Sequence, residues 1–189
     1  MMKIILISGK RKCGKDYIAE RLQKRLTNCS KIVRISEPIK SEWARKLQLD
    51  LSALLSDGPY KEKYRRDMIV WSDEVRARDY GYFCRAAMAE AMETADHPIS
   101  YIIVSDIRRK NDIKWFLEQY GPQMVQTLRL TSRIEVRKAR GWKFTQGIDD
   151  VTSECDLDDY QSFDHVVAND GITEDHKLIE HLIDILQIQ

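Results

Sequence analysis

The sequence has few of the residues that form metal sites or disulfides. Its four cysteines, at positions 13, 29, 84 and 155, contain no Cys-x-x-Cys pair, and its four histidines show no ligand spacing. Zinc sites and disulfide frameworks depend on such spacing. We therefore expect reduced thiols and no metal ion held by protein side chains alone.

Long hydrophobic runs are also missing. No apolar stretch approaches the roughly 20 residues that cross a bilayer, and the chain does not open on a hydrophobic signal segment. Its last residues, Leu186 to Gln189, are not a peroxisomal tripeptide of the Ser-Lys-Leu type. These absences lead us to expect a cytoplasmic protein with no membrane partner.

The net charge is small, but the charges are unevenly distributed. The chain carries +1, yet residues 1–144 hold 30 Lys and Arg against 18 Asp and Glu, whereas residues 145–189 hold 1 against 12. A basic segment of this kind suits either nucleic acid or a pocket that neutralises several phosphates. The acidic residues from Asp149 to Asp164 are most simply interpreted as solvated surface.

Short apolar runs alternate with helical patterns, which predicts an α/β fold whose parallel sheet is covered on both faces. The five predicted strands are Lys3–Ser8, Ile32–Ile35, Tyr101–Val104, Val125–Leu130 and Phe163–Val167. Because 189 residues without a linker or repeat fit one core, we expect a single domain over residues 1–189.

Two segments differ from the alternating pattern. Residues of about 38–98, from Pro38 to Pro98, have several helical patterns, no strand signal and many cations. Such a long crossover usually carries a function, and we interpret it as an insertion for substrate binding. Residues of about 131–160 are very polar and include Gly141 and Gly147. This composition suits a mobile lid.

A glycine-containing loop at residues 9–16 is the most informative motif. It reads Gly-Lys-Arg-Lys-Cys-Gly-Lys-Asp and follows the first predicted strand. Glycines at its first and sixth positions let backbone N–H groups surround a phosphate, and Lys15 after the second glycine reaches the β and γ oxygens. Lys10, Arg11 and Lys12 add charge that two anionic substrates would need.

Two aspartates are candidates for contact with Mg²⁺. Asp16 stands where Ser or Thr usually binds the ion; it either contacts Mg²⁺, directly or through water, or only caps the helix. Asp106 ends the third predicted strand, where kinases of this kind place a second acid. The alternative for Asp106 is an ordinary strand-end turn.

Basic residues cluster near the proposed phosphate site. Arg108 and Arg109 follow the third strand, at the sheet edge where open α/β folds bind ligands. We interpret them as phosphate clamps, because a guanidinium matches phosphate oxygens in geometry. Lys61 and Arg65 share one helix face, for which a solvated charged surface is the usual explanation on spacing alone.

The predicted lid carries its own arginines. Arg133, Arg137 and Arg140 recur at helical spacing and share one face. An arginine that arrives on closure stabilises charge during phosphoryl transfer and helps to exclude water. The alternative is surface charge.

These motifs together resemble one family, the animal-type phosphomevalonate kinases, which have the nucleoside monophosphate kinase fold. The resemblance spans nearly the whole chain, and an aspartate after the loop lysine is also the family's choice. Its residues include the loop 9–16, Tyr60-Lys61-Glu62, Arg65, Asp67-Met68-Ile69, Phe83-Cys84-Arg85, Val104-Ser105-Asp106, Arg108-Arg109, Arg140-Gly141-Trp142, Asp149-Asp150, Ser153-Glu154-Cys155 and Phe163-Asp164.

The resemblance implies a three-layer P-loop kinase fold and transfer of the ATP γ-phosphoryl group, with Mg²⁺, to (R)-5-phosphomevalonate in the mevalonate pathway of isoprenoid and sterol biosynthesis. It implies catalytic roles for Lys15, Arg108 and Asp106, and Mg²⁺ contact by Asp16 and Asp106. ATP would be bound by Gly9, Lys10, Arg11, Lys12, Cys13, Gly14, Lys15, Asp16, Arg137, Arg140, Asn169 and Asp170. The acceptor would be bound by Lys40, Lys61, Arg65, Arg76, Arg85, Arg108, Arg109, Arg129 and Asn169.

Two other functions fit part of the pattern. A nucleoside monophosphate kinase has the same fold and lid but needs a site that recognises a base, and residues 38–98 offer cations more than an obvious base platform. A non-catalytic binder of nucleotides or nucleic acid would use the basic segment alone and release no ADP. We expect a monomer that acts on small molecules and binds no nucleic acid.

Overall fold

Five parallel strands form the centre of the protein, as seen in a computed structural model that describes residues 2–26, 29–56, 58–171 and 175–188. They are β1 (Lys3–Ser8), β2 (Ser30–Val33), β3 (Tyr101–Ile107), β4 (Val125–Thr131) and β5 (His165–Ala168). Their order across the sheet is β2-β3-β1-β4-β5, and every neighbouring pair is parallel. The predicted α/β fold is therefore confirmed.

Helices accompany the sheet, and some of them pack on its two faces. They are α1 (Lys15–Leu26), α2 (Ser36–Leu47), α3 (Leu51–Leu55), α4 (Pro59–Arg78), α5 (Tyr82–Glu93), α6 (Lys110–Tyr120), α7 (Ile134–Ala139), α8 (Thr152–Cys155) and α9 (Asp175–Ile185). None of the helices that the structure describes is long and apolar enough to cross a membrane.

The central strand β1 is buried on both faces. Successive side chains of a strand point to opposite faces, and β1 supplies two clusters in this way. Ile4 belongs to the same hydrophobic cluster as Phe116 of α6, whereas Ile5 belongs to the cluster that contains Leu22 of α1. Burial of each such side chain contributes about 1.5–3 kcal/mol. The layered core thus fixes where β1 ends and the next loop begins.

The predicted bounds of the second strand are wrong, because β2 ends at Val33 rather than Ile35. The backbone N–H groups of Ile35 and Ser36 donate to the Asp106 carboxylate, at 2.8 and 2.9 Å. A carboxylate at a helix start satisfies N–H groups that have no partner within the helix. The chain therefore leaves the sheet early and enters α2.

The segment between β2 and β3 forms α2, α3, α4 and α5, as its helical patterns predict. A separate cluster of buried side chains, Trp43, Ala44, Leu54 and Met68, joins α2, α3 and α4. α4 begins with Pro59, which is favourable because the first helical N–H has no intrahelical partner. These helices form a wall beside the carboxyl end of the sheet.

The carboxyl ends of the central strands converge at one edge. Ser8 at the end of β1 pairs with Ile107 of β3 on one side and with Arg129 of β4 on the other. Parallel sheets bind ligands at this edge, where crossovers leave in opposite directions. The loops after β1, β3 and β4 therefore lie together.

Candidate active site

The loop after β1 is tightly packed at both of its glycines. A Cβ atom on Gly9 would lie 2.6 Å from the carbonyl oxygen of Leu130. Gly14 has a φ of +93°, and its Cβ would lie 2.4 Å from the side-chain nitrogen of Asn169, which itself donates to the Cys13 carbonyl at 2.9 Å. Glycine is therefore required by close approach at position 9 and by positive φ at position 14.

Lys15 opens α1, and its side chain turns back over the loop. Its Nζ atom donates to the carbonyl oxygens of Gly9, at 2.7 Å, and Lys10, at 3.1 Å. Burial, and then the neighbouring Arg108 guanidinium, lowers the pKa of Lys15 from 10.5 to about 8. A cation that has lost its hydration in this way is favoured by a bound anion.

A cleft of about 790 Å³ lies beside Lys15, between the loop, the end of β3 and the helices α2 and α4. Ten cationic side chains line it against six carboxylates, so the cleft is positively charged. Apolar side chains of Ile39, Met68 and Ile69 also face it. Of the predicted acceptor-binding residues, the structure brings together Lys40, Lys61, Arg65, Arg76, Arg108 and Arg109.

The charged form of Lys40 in the cleft is disfavoured by its surroundings. Burial, and then the proximity of Lys61, lowers the pKa of Lys40. An anion bound beside Lys40 would favour its charged form. Arg65 on the same wall forms an ion pair with Glu62 at 2.5 Å, so its guanidinium is oriented within α4.

Asp112 joins three segments at the back of the cleft and was missed by the sequence analysis. It is fully buried, and one carboxylate oxygen pairs with the Arg76 guanidinium of α4. Its other oxygen accepts from the backbone N–H groups of Arg108 at 3.3 Å and Arg109 at 3.1 Å. An acidic residue in the first turn of α6 is the local signal that could have identified it.

Three predicted acceptor-binding residues, Arg85, Arg129 and Asn169, do not line the cleft. Arg85 projects from α5, is half exposed and pairs with Asp79. Arg129 lies on β4, where its guanidinium donates to Ser8 Oγ at 2.8 Å and to Asp158 at 3.2 Å. The family pattern alone did not distinguish these two arginines from the ones that line the cleft.

The acidic segment is not simply solvated surface, and that interpretation is wrong for Asp149 and Glu154. Both side chains are buried, and both bind the loop after β1. Asp149 pairs with the Arg11 guanidinium at 2.9 Å, while Glu154 accepts the Arg11 backbone N–H at 2.5 Å and pairs with the Arg108 guanidinium. Part of the surplus positive charge is thus neutralised within the chain.

The predicted lid arginines contact the same loop from its other side. Arg137 donates to the Arg11 carbonyl at 2.8 Å, and Arg140 donates to the Cys13 carbonyl at 3.3 Å and to Asn169 at 3.4 Å. Arg133 instead pairs with Asp170 at 3.2 Å. Arg137, Arg140 and Asn169 therefore lie around the loop, while Asp170 anchors the start of α7.

The two candidate Mg²⁺ carboxylates have different surroundings. Asp16 is largely exposed at the cleft, 3.5 Å from Ser105 Oγ and 3.4 Å from Arg34 Nε. Asp106 also lines the cleft, but its two oxygens accept the N–H groups at the start of α2. The described residues contain no group of three or more His, Cys, Asp or Glu side chains that could hold a metal ion.

This chain is similar to known members of one kinase family. The family model of phosphomevalonate kinase matches residues 7–122. A phosphomevalonate kinase from Drosophila melanogaster is 73% identical over 190 residues, which cover 100% of this chain and 99% of that protein. This chain belongs to the phosphomevalonate kinase family. The family resemblance that the sequence motifs indicated is therefore confirmed.

Solved structures establish the fold independently of sequence. Shikimate kinase from Bacteroides thetaiotaomicron has a TM-score of 0.53 at 13% identity, with full coverage of both chains. A gluconokinase from Sinorhizobium meliloti 1021 also has a TM-score of 0.53, at 12% identity, and the match covers 98% of this chain and 91% of that one. At such low identity the likeness shows only that this phosphomevalonate kinase family member has the fold of P-loop-type kinases.

Proposed function

We propose that this protein transfers the γ-phosphoryl group of ATP to the phosphate of (R)-5-phosphomevalonate, giving ADP and 5-diphosphomevalonate in the mevalonate pathway of isoprenoid and sterol biosynthesis. The observation that carries the proposal is the cationic cleft that adjoins Lys15 in a member of this family. ATP lies along the loop 9–16, near Arg137, Arg140 and Asn169. The acceptor occupies the cleft.

The residues of the cleft suit transfer between two phosphates. An acceptor phosphate is already a nucleophile at neutral pH, so the reaction needs alignment and charge neutralisation more than a general base. None of the described residues that line the cleft is a histidine. Lys15 and Arg108 are placed to neutralise the moving phosphoryl group, and Lys40 and Lys61 to hold the acceptor phosphate.

The lining also favours a small branched acceptor over a nucleoside monophosphate. None of the described residues that line the cleft is aromatic, so the cleft has no ring on which a base could stack. Ile39, Met68 and Ile69 instead offer apolar surface to a short carbon chain. This supports phosphomevalonate against the main alternative substrate class.

Mg²⁺ would bind together with ATP. This ion keeps several waters and is usually held by one or two carboxylates together with substrate phosphates. The exposed carboxylate of Asp16 beside Lys15 fits such a role. Asp106 fits less directly, because two backbone N–H groups already use its oxygens. When bound, the ion offsets negative charge between the β- and γ-phosphates.

We also propose how the chain is organised. Residues 1–189 form one domain, with residues 38–98 binding the acceptor and residues 131–160 closing over the nucleotide. The contacts of Arg137 and Arg140 with the loop support this lid role. The protein acts as a cytoplasmic monomer and binds no nucleic acid.

A panel of acceptors tests the proposed reaction. Purified protein is incubated with Mg-ATP and with (R)-5-phosphomevalonate, mevalonate, AMP, UMP or an oligonucleotide, and ADP release is measured. We expect ADP release that depends on phosphomevalonate and is lost in Lys15→Met. Faster turnover of a nucleoside monophosphate would show that the acceptor is wrongly identified.

A further inference from the structure

Glu154 is a buried charge in a short helix, and nothing in the family resemblance gives it a role. Only 4% of its side chain is exposed, although α8 has just four residues. Burying a carboxylate is costly unless its oxygens are paired. Its partners therefore indicate what the side chain does.

Both partners lie outside its own helix. Oε1 accepts the backbone N–H of Arg11 in the loop after β1, at 2.5 Å, and Oε2 pairs with the guanidinium of Arg108 after β3. α8 has no side-chain capping bond, so local helix stabilisation does not explain Glu154. The carboxylate instead connects the nucleotide loop to an arginine of the cleft.

The backbone around Glu154 is docked at the same place. Lys10 Nζ donates to the Glu154 carbonyl at 2.9 Å, and the Arg11 guanidinium pairs with Asp149 at 2.9 Å. Arg108 Nη1 reaches Glu154 from a side chain that is 28% exposed. Without this carboxylate, a long arginine at the edge of a cleft would sample several rotamers.

We propose that Glu154 is a positioning residue for phosphoryl transfer, which holds the Arg108 guanidinium against the phosphate-binding loop so that it faces the transferred group. This inference rests on the proposed function. Both of its oxygens are already used by Arg11 and Arg108, so Glu154 acts through Arg108. When residues 131–160 dock on the loop, α8 brings this carboxylate to Arg108, which links docking of the segment to assembly of the site.

A double-mutant cycle tests this role, with kcat and both KM values measured by ADP release. Glu154→Gln keeps an oxygen for the Arg11 N–H but removes the charge that holds Arg108. We expect kcat to fall about 10- to 100-fold, as for loss of one charge-assisted hydrogen bond, while each KM changes by less than about threefold. In an Arg108→Ala background, Glu154→Gln should cause no further loss.

The control is Asp159→Asn, which removes the same charge from the same segment. Asp159 is largely exposed and pairs with Lys110 at 2.8 Å, so kcat should be unchanged. If Glu154→Gln melts below the assay temperature, Glu154→Asp replaces it, because the shorter side chain cannot span both partners.

Two results would overturn the role of Glu154: an unchanged kcat, whether or not KM rises, or losses that add to those of Arg108→Ala. Additive losses would mark a general structural role. Failure of the proposed function looks different, because the wild-type protein itself would then release no ADP in response to phosphomevalonate.

Discussion

Lys15→Met should change the pH dependence of stability in the ligand-free protein. Lys15 is buried, and its pKa is lowered from 10.5 to about 8. A shift of this size corresponds to about 3 kcal/mol against the charged side chain. Methionine has a similar length and no charge, so the variant does not incur this cost.

The direction of this pH dependence follows from proton binding in the folded and unfolded states. Between pH 8 and 10.5 the unfolded chain keeps a proton on Lys15 that the folded chain has lost. The free energy of unfolding of the wild type therefore increases as pH rises through this range. The variant has no titrating group at position 15, so its free energy of unfolding does not show this increase. The difference in unfolding free energy, variant minus wild type, should therefore decrease by about 3 kcal/mol from neutral pH to pH 10.5.

Urea unfolding of both proteins at a series of pH values measures this difference. Lys24→Met is the control, because Lys24 is an exposed lysine on the same helix, and its difference from wild type should not vary with pH. At neutral pH, Lys15→Met avoids the cost of burying a charge but loses the two hydrogen bonds to the Gly9 and Lys10 carbonyls. Their loss offsets part of the benefit, by about 1 kcal/mol each. A Lys15→Met difference that is constant with pH would refute the reasoning.

Four further substitutions test the site. Arg140→Ala should lower turnover at least about tenfold without lowering the melting temperature by more than a few degrees, because it removes hydrogen bonds to the loop. Unchanged kinetics would show that Arg140 contributes only surface charge. Arg76→Ala should raise the KM for phosphomevalonate, whereas Arg85→Ala should not, since Arg76 lines the cleft and Arg85 does not. Gly14→Ala should abolish ATP binding measured by calorimetry, because its Cβ overlaps Asn169; normal affinity would contradict the loop geometry.

Local sequence patterns were sufficient to predict the loop, helix and strands that position the site. The glycine spacing at positions 9 and 14 and the apolar strand before it identify the loop, because phosphate binding by backbone N–H groups depends on neighbouring residues in the chain. Ile18, Leu22 and Leu26 recur every four residues, a spacing that predicts a core-facing side of α1, and all three are buried. The strands were predicted for the same reason, apart from their exact ends.

Pairing between distant residues could not be predicted. Glu154 meets Arg11 and Arg108, which are 143 and 46 residues away in the sequence. Asp106 binds the start of α2, 70 residues before it, so an apparent metal ligand also has a structural partner. No periodicity encodes such contacts, because they arise only when the loops after different strands meet at one edge.

The identity of the phosphorylated product tests the central claim most directly. Phosphorus NMR of wild-type protein with Mg-ATP and (R)-5-phosphomevalonate should show the acceptor monophosphate resonance replaced by two coupled diphosphate resonances as ADP forms, and no change with Lys15→Met. ADP that accumulates while the acceptor resonance stays unchanged would contradict phosphoryl transfer to phosphomevalonate.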